Sequence, residues 1–121
     1  MNRPPIITLC GSTRFKTEYV NYNLELSLMG CVVLSVACYS YGDSTMLSPA
    51  QKARVDELHL RKLDLSDAVL VIDVNGYIGE STKREIAYAE AIGKPVYYGS
   101  RWQDLVEFID GGREALKEQD D

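Results

Sequence analysis

The run "AVLVIDV", Ala68 to Val74, is apolar almost throughout. A strand with one face in water alternates polar and apolar side chains, so this one is expected to be covered on both faces and central in its sheet. Three shorter runs share its character: "IITLC" (Ile6 to Cys10), "CVVLSVA" (Cys31 to Ala37) and "KPVYYG" (Lys94 to Gly99). Stretches with helical spacing lie between them. Phe15, Tyr19, Tyr22, Leu26 and Met29 recur at threes and fours and form one stripe, which Gly30 ends. Ser48-Pro49 reads as an N-cap followed by proline at the first helical position. That helix is expected to run to about Leu65, with Val55, Leu58 and Leu63 turned inward and Asp64 and Asp67 terminating it. "KREIAYAEAIG" is a further helix, beginning near Thr82 and ending at Gly93, and "WQDLVEFI" with the acidic tail supplies one or two closing helices.

Buried strands alternating with helices predict an α/β fold, a Rossmann-like or flavodoxin-like three-layer sandwich. Its parallel sheet should hold about four to five strands, with helices on both faces. A chain of 121 residues is enough for a single domain. In such sheets ligands bind beyond the carboxyl ends of the strands, where the strand order reverses. The loops "GSTR", "CYSYGDST" and "NGYIGEST" are therefore the places to search.

Charge and cysteine content narrow the function. A net charge of −5 argues against a protein that grips duplex nucleic acid by its phosphates, because that affinity rests on clustered Lys and Arg. A small phosphorylated ligand needs only a local seat. The three cysteines, Cys10, Cys31 and Cys38, each lie in or beside an apolar run and read as reduced core thiols. With a single His and no Cys/His spacing, no zinc site is expected, and no cofactor is expected either. The start "MNRPPIITLCGS" is too soon broken for a signal peptide, and no apolar run approaches the ~20 residues of a membrane span. A cytoplasmic protein with no membrane partner is expected.

Gly11-Ser12-Thr13-Arg14 follows the first strand and is expected to open a helix. Free backbone N–H groups there make a natural anion seat, with hydroxyls from Ser12 and Thr13 and a forked donor from Arg14. Ser12 or Thr13 could equally serve only to cap the helix. Neither GxxxxGK[ST] nor GxGxxG occurs, so generic ATPase and dinucleotide functions are disfavoured. Glu85 shares a helical face with Ala89 and Ile92. A carboxylate on an inward stripe is costly unless it faces a pocket, and a helix N-terminus favours its ionised form. Such a group suits a nucleophile or a cation stabiliser; the plain alternative is an i,i+4 surface pair or a first-turn charge. Ser81 is a plausible N-cap and Glu80 a solvated loop acid. His59 lies near the apolar stripe of its helix, where a lone His is more often a packing residue than a catalyst. Tyr39 and Tyr41 could stack on a flat ring or cover a subunit contact.

Taken in order, "CGSTR", "LSDAVLVID" and "GESTKREIAYAEAIGKPV" resemble the nucleoside 2-deoxyribosyltransferase superfamily, which includes the nucleoside 5′-monophosphate N-glycosidases. The similarity runs from about Ile6 to Tyr98. The resemblance implies a homodimer or larger homo-oligomer acting on the N-glycosidic bond of a nucleoside or nucleotide, by hydrolysis or transfer. By matching position, Glu85 falls on the family's catalytic Glu. Gly11, Ser12 and Arg14 fall on the loop that holds the sugar and neighbours the phosphate, and Ser81 and Thr82 fall on small residues of a second binding loop. Two positions depart from the pattern. His59 stands where the family usually carries Asp, and Gly79 stands where transferases carry Asp and monophosphate hydrolases Ser. His59, and less so Asp73, are candidates to protonate the departing base. The same departures fit a non-catalytic nucleotide sensor that has kept binding and lost chemistry.

Overall fold

The computed structural model describes residues 3–39 and 47–120, with side chains described as far as residue 112. Four strands, β1 (Ile6–Gly11), β2 (Val32–Leu34), β3 (Ala68–Ile72) and β4 (Val96–Tyr98), form one all-parallel sheet in the order β2-β1-β3-β4. Four α-helices connect and close it: α1 (Lys16–Leu28), α2 (Pro49–Leu65), α3 (Glu80–Ala91) and α4 (Trp102–Asp120). The architecture is the expected α/β sandwich, with four strands among the described residues.

Alternation along β1 and β3 divides the core in two. Ile7, Leu9, Leu70 and Ile72 point to one face, where Tyr19 and Leu26 of α1 and Leu105 and Ile109 of α4 cover them. Cys10, Val69 and Val71 point to the other, beneath Leu63 of α2 and Ala89 of α3. All five residues of β3 are buried, as a central strand between β1 and β4 requires.

Several local expectations need correction. β2 has three residues rather than seven; just beyond it the Ser35 carbonyl accepts the Lys62 ammonium at 2.6 Å, and Val36 packs on the core. Leu58 is 52% exposed. Leu63 is buried as expected, but the turn before it faces inward through His59 rather than Leu58, so the imidazole takes the place expected for leucine. Asp64 does not terminate α2: it lies inside the helix, accepts the Tyr88 hydroxyl at 2.6 Å and pairs with Arg61 at 3.0 Å. Asp67, after the helix, accepts the Ile6 N–H at 2.8 Å and Arg3 at 2.6 Å, which ties β1 to the start of β3.

The start of α2 is as expected. Ser48 Oγ accepts the Gln51 N–H while Gln51 Oε1 accepts the Ser48 N–H, a reciprocal capping box with Pro49 leading the helix. No helix among the described residues is long and apolar enough to cross a membrane.

Candidate active site

From β1 the chain crosses to one side of the sheet, to β2, and then returns past β1 to β3. The strand order therefore reverses between β1 and β3, and the crevice lies at their carboxyl ends. Gly11 pairs with Ile72 at that point. Its φ is +152°, and a Cβ there would lie 3.0 Å from the Ile72 carbonyl oxygen and 3.1 Å from the Ile72 Cβ. Both the conformation and the closeness of β3 call for glycine.

Above this junction opens a cavity of about 750 Å³, bounded by the turns after β1, β2 and β3 and by the facing sides of α2 and α3. Gly11, Ser12 and Thr13 form one edge, Tyr39 another, and Gly79, Ser81 and Thr82 the rim on α3. His59 and Glu85 also line it. Tyr41 lies outside the described residues.

The turn after β1 differs from expectation. α1 begins at Lys16, with Phe15 at the N-cap and no side-chain cap. Ser12 and Thr13 therefore neither cap the helix nor contribute its free N–H groups. Ser12 Oγ instead accepts the Arg14 N–H at 3.3 Å and Arg14 Nε at 3.1 Å. Arg14 is not on the cavity wall; it donates to the Tyr77 hydroxyl at 3.0 Å and lies 4.4 Å over that ring. α3 starts at Glu80, with Gly79 rather than Ser81 as N-cap, and Ser81 Oγ accepts from Arg84 at 3.1 Å. Asp73 is also off the cavity wall. Its carboxylate accepts the Ser100 N–H at 2.9 Å and the Ser100 hydroxyl at 2.5 Å, which anchors the turn into α4.

At the cavity floor His59 Nε2 lies 3.3 Å from Cys10 Sγ and 3.7 Å from Glu85 Oε2. The side chains of His59 and Glu85 are 9% and 18% exposed. Burial raises the Glu85 carboxyl from its ordinary 4.5 to about 7; Asp56 adds to the rise, and Lys52 and Arg84 oppose it. Desolvation thus outweighs the expected pull of the helix N-terminus toward the ionised form. Burial, with Lys62, lowers His59 from 6.5 to about 4 against an opposing pull from Asp56. Neutral imidazole is the form at neutral pH, so the His–Glu contact is not an ion pair. Burial, with Glu85, also pushes the Cys10 thiol well above its ordinary value.

Three contributors escaped the sequence reading. Cys10 sits in an apolar run that suggests only a small hydrophobe, yet strand alternation directs it to the α2–α3 face against His59. Lys52 and Asp56 line the cavity as an ion pair 2.7 Å apart. Their spacing from each other and from His59, four and then three residues, puts all three on one helical face, a signal present in the sequence. No family model and no curated protein matches this chain.

Proposed function

We propose that the chain cleaves the N-glycosidic bond of a nucleoside or nucleoside 5′-monophosphate, as the resemblance to the nucleoside 2-deoxyribosyltransferase superfamily implies. One observation carries the reading: a mostly buried carboxyl, Glu85, lines the same cavity as the Gly11–Thr13 turn at the strand-order reversal. Bond cleavage develops positive charge at the anomeric carbon. The ionised Glu85 meets that charge as nucleophile or as electrostatic stabiliser, in a low-dielectric setting that strengthens the interaction. Tyr39 offers an aromatic face to a flat base, and the hydroxyls of Ser12, Thr13, Ser81 and Thr82 offer partners to a sugar or phosphate.

His59, neutral near pH 7, fits a positioning role beside Glu85 better than that of an imidazolium acid. Protonation of the base passes to Lys52 or solvent in this scheme. The reading keeps a cytosolic setting and a homo-oligomer. The exposed row Val20, Leu24 and Leu28 on α1, continued by Val32 on edge strand β2, supports self-association.

The test is a panel of nucleosides and their monophosphates, with free base as readout. Glu85→Ala should lower turnover by at least about 100-fold with the far-UV spectrum unchanged. kcat/KM should rise with pH through an apparent pKa near 7, because the carboxylate is the working form. Full turnover in the variant removes Glu85 from the chemistry. One second reading, a nucleotide-binding module without catalysis, rests on His59 and Gly79 standing where the family pattern carries other residues. It predicts that ligands raise Tm while no base is released from any of them.

A further inference from the structure

Three separate elements bring a thiol, an imidazole and a carboxyl together beside the cavity, which His59 and Glu85 line. Cys10 comes from β1, His59 from α2 and Glu85 from α3. Their ligand-capable atoms all lie within 4.8 Å of one another. We infer that Cys10 Sγ, His59 Nε2 and Glu85 Oε2 form a binding site for a divalent transition-metal ion of the zinc type, with its fourth position open to the cavity. The inference rests on the convergence of these atoms and not on the proposed reaction.

The spacing fits such an ion. Tetrahedral zinc, bound at ~2.3 Å by sulfur and at ~2.0–2.2 Å by nitrogen and oxygen, holds its donor atoms roughly 3.4–3.6 Å apart. The Sγ–Nε2 and Nε2–Oε2 separations are 3.3 and 3.7 Å. The third edge closes as the carboxylate moves toward the ion. Hydrogen bonding alone serves the cluster poorly. Both the thiol and the carboxyl face a single ring nitrogen, which offers either one proton or one lone pair. One cation satisfies all three groups at once. A mixed sulfur, nitrogen and oxygen set selects zinc, cobalt or nickel over magnesium and calcium, which take oxygen ligands. Three protein ligands with an open fourth position differ from a closed structural site. An ion held there occupies the carboxylate the proposed cleavage needs, so zinc should inhibit base release.

Cobalt(II) is the probe. Chelator-treated, desalted and reduced protein is titrated with Co²⁺ and followed by visible absorption. The expected result is a tetrahedral cobalt spectrum with a thiolate charge-transfer band, saturating at roughly one ion per chain and displaced by Zn²⁺, which also raises Tm. Cys10→Ser should remove the charge-transfer band. Cys38→Ser should keep it, although Cys38 lines the cavity. His59→Gln and Glu85→Gln should each weaken binding by more than about 100-fold, since loss of an outer-shell partner already costs ~10–100-fold. These two variants, checked for folding by far-UV circular dichroism, decide the matter if Cys10→Ser does not fold. Absence of a tetrahedral spectrum overturns the inference, as does a charge-transfer band that survives Cys10→Ser. Base release by a protein that binds no cobalt overturns the metal site alone. Cobalt binding without base release from any nucleoside supports the site and counts against the proposed reaction.

Discussion

Glu85 and His59 share one burial and respond to it in opposite directions. In metal-free protein the folded state holds a proton on Glu85 between pH 4.5 and about 7 that the unfolded chain has released, so stability falls as pH rises through that window. The folded state lacks a proton on His59 between about 4 and 6.5 that the unfolded chain carries, so stability rises there. The two slopes nearly cancel where the windows overlap. Glu85→Gln should therefore expose a rise in stability toward pH 6.5, and His59→Gln a decline toward pH 7, each roughly 3 kcal/mol across its window. Urea midpoints measured at a series of pH values read both. Parallel flat profiles for parent and variants would mean that neither group is buried as described. At this scale the sequence disclosed Glu85, because its spacing from Ala89 marked an inward row. Cys10 stayed hidden, since what distinguishes it is contact with His59 on a helix remote in sequence; Lys52 was legible only in its spacing from Asp56 and His59 on one helical face.

Among the elements, α2 carries the most consequence for the cavity, supplying Lys52, Asp56 and His59 to its wall. Its first turn is secured by the Ser48–Gln51 capping box. Ser48→Ala should cost about 1 kcal/mol in urea unfolding. Fraying of that turn also loosens Lys52, whose charge holds the Glu85 pKa down, so the apparent pKa of Glu85 should rise in the variant. A stability loss with an unchanged pKa would separate the cap from the site. This start was legible because Ser-Pro carries its own chemistry. The starts of α1 and α3 were misjudged by two or three residues because Phe15 and Gly79 cap without a side-chain hydrogen bond and leave no local signature. β2 is shorter than its β-branched composition suggests, and just past its end the Ser35 carbonyl accepts Lys62.

For the molecule as a whole, alternation of strand and helix was enough to foresee an all-parallel sheet with two covered faces. What it left open was which side chains from α2 and α3 would meet over β1, because that depends on helix rotation. The division of the core predicts a corresponding division of effects. Leu70 is fully buried on the α1–α4 face, away from the cavity. Leu70→Ala should lose about 2–5 kcal/mol of stability and leave the apparent pKa of Glu85 where it is. A shifted pKa in this variant would show that the two faces are coupled through the sheet. The two outer strands, β2 and β4, have three residues each. So short a margin gives an incoming strand little backbone to zip onto, which guards the protein against fibril-like stacking. Any pairing of copies falls instead to side-chain contacts, such as those offered by Val20, Leu24, Leu28 and Val32.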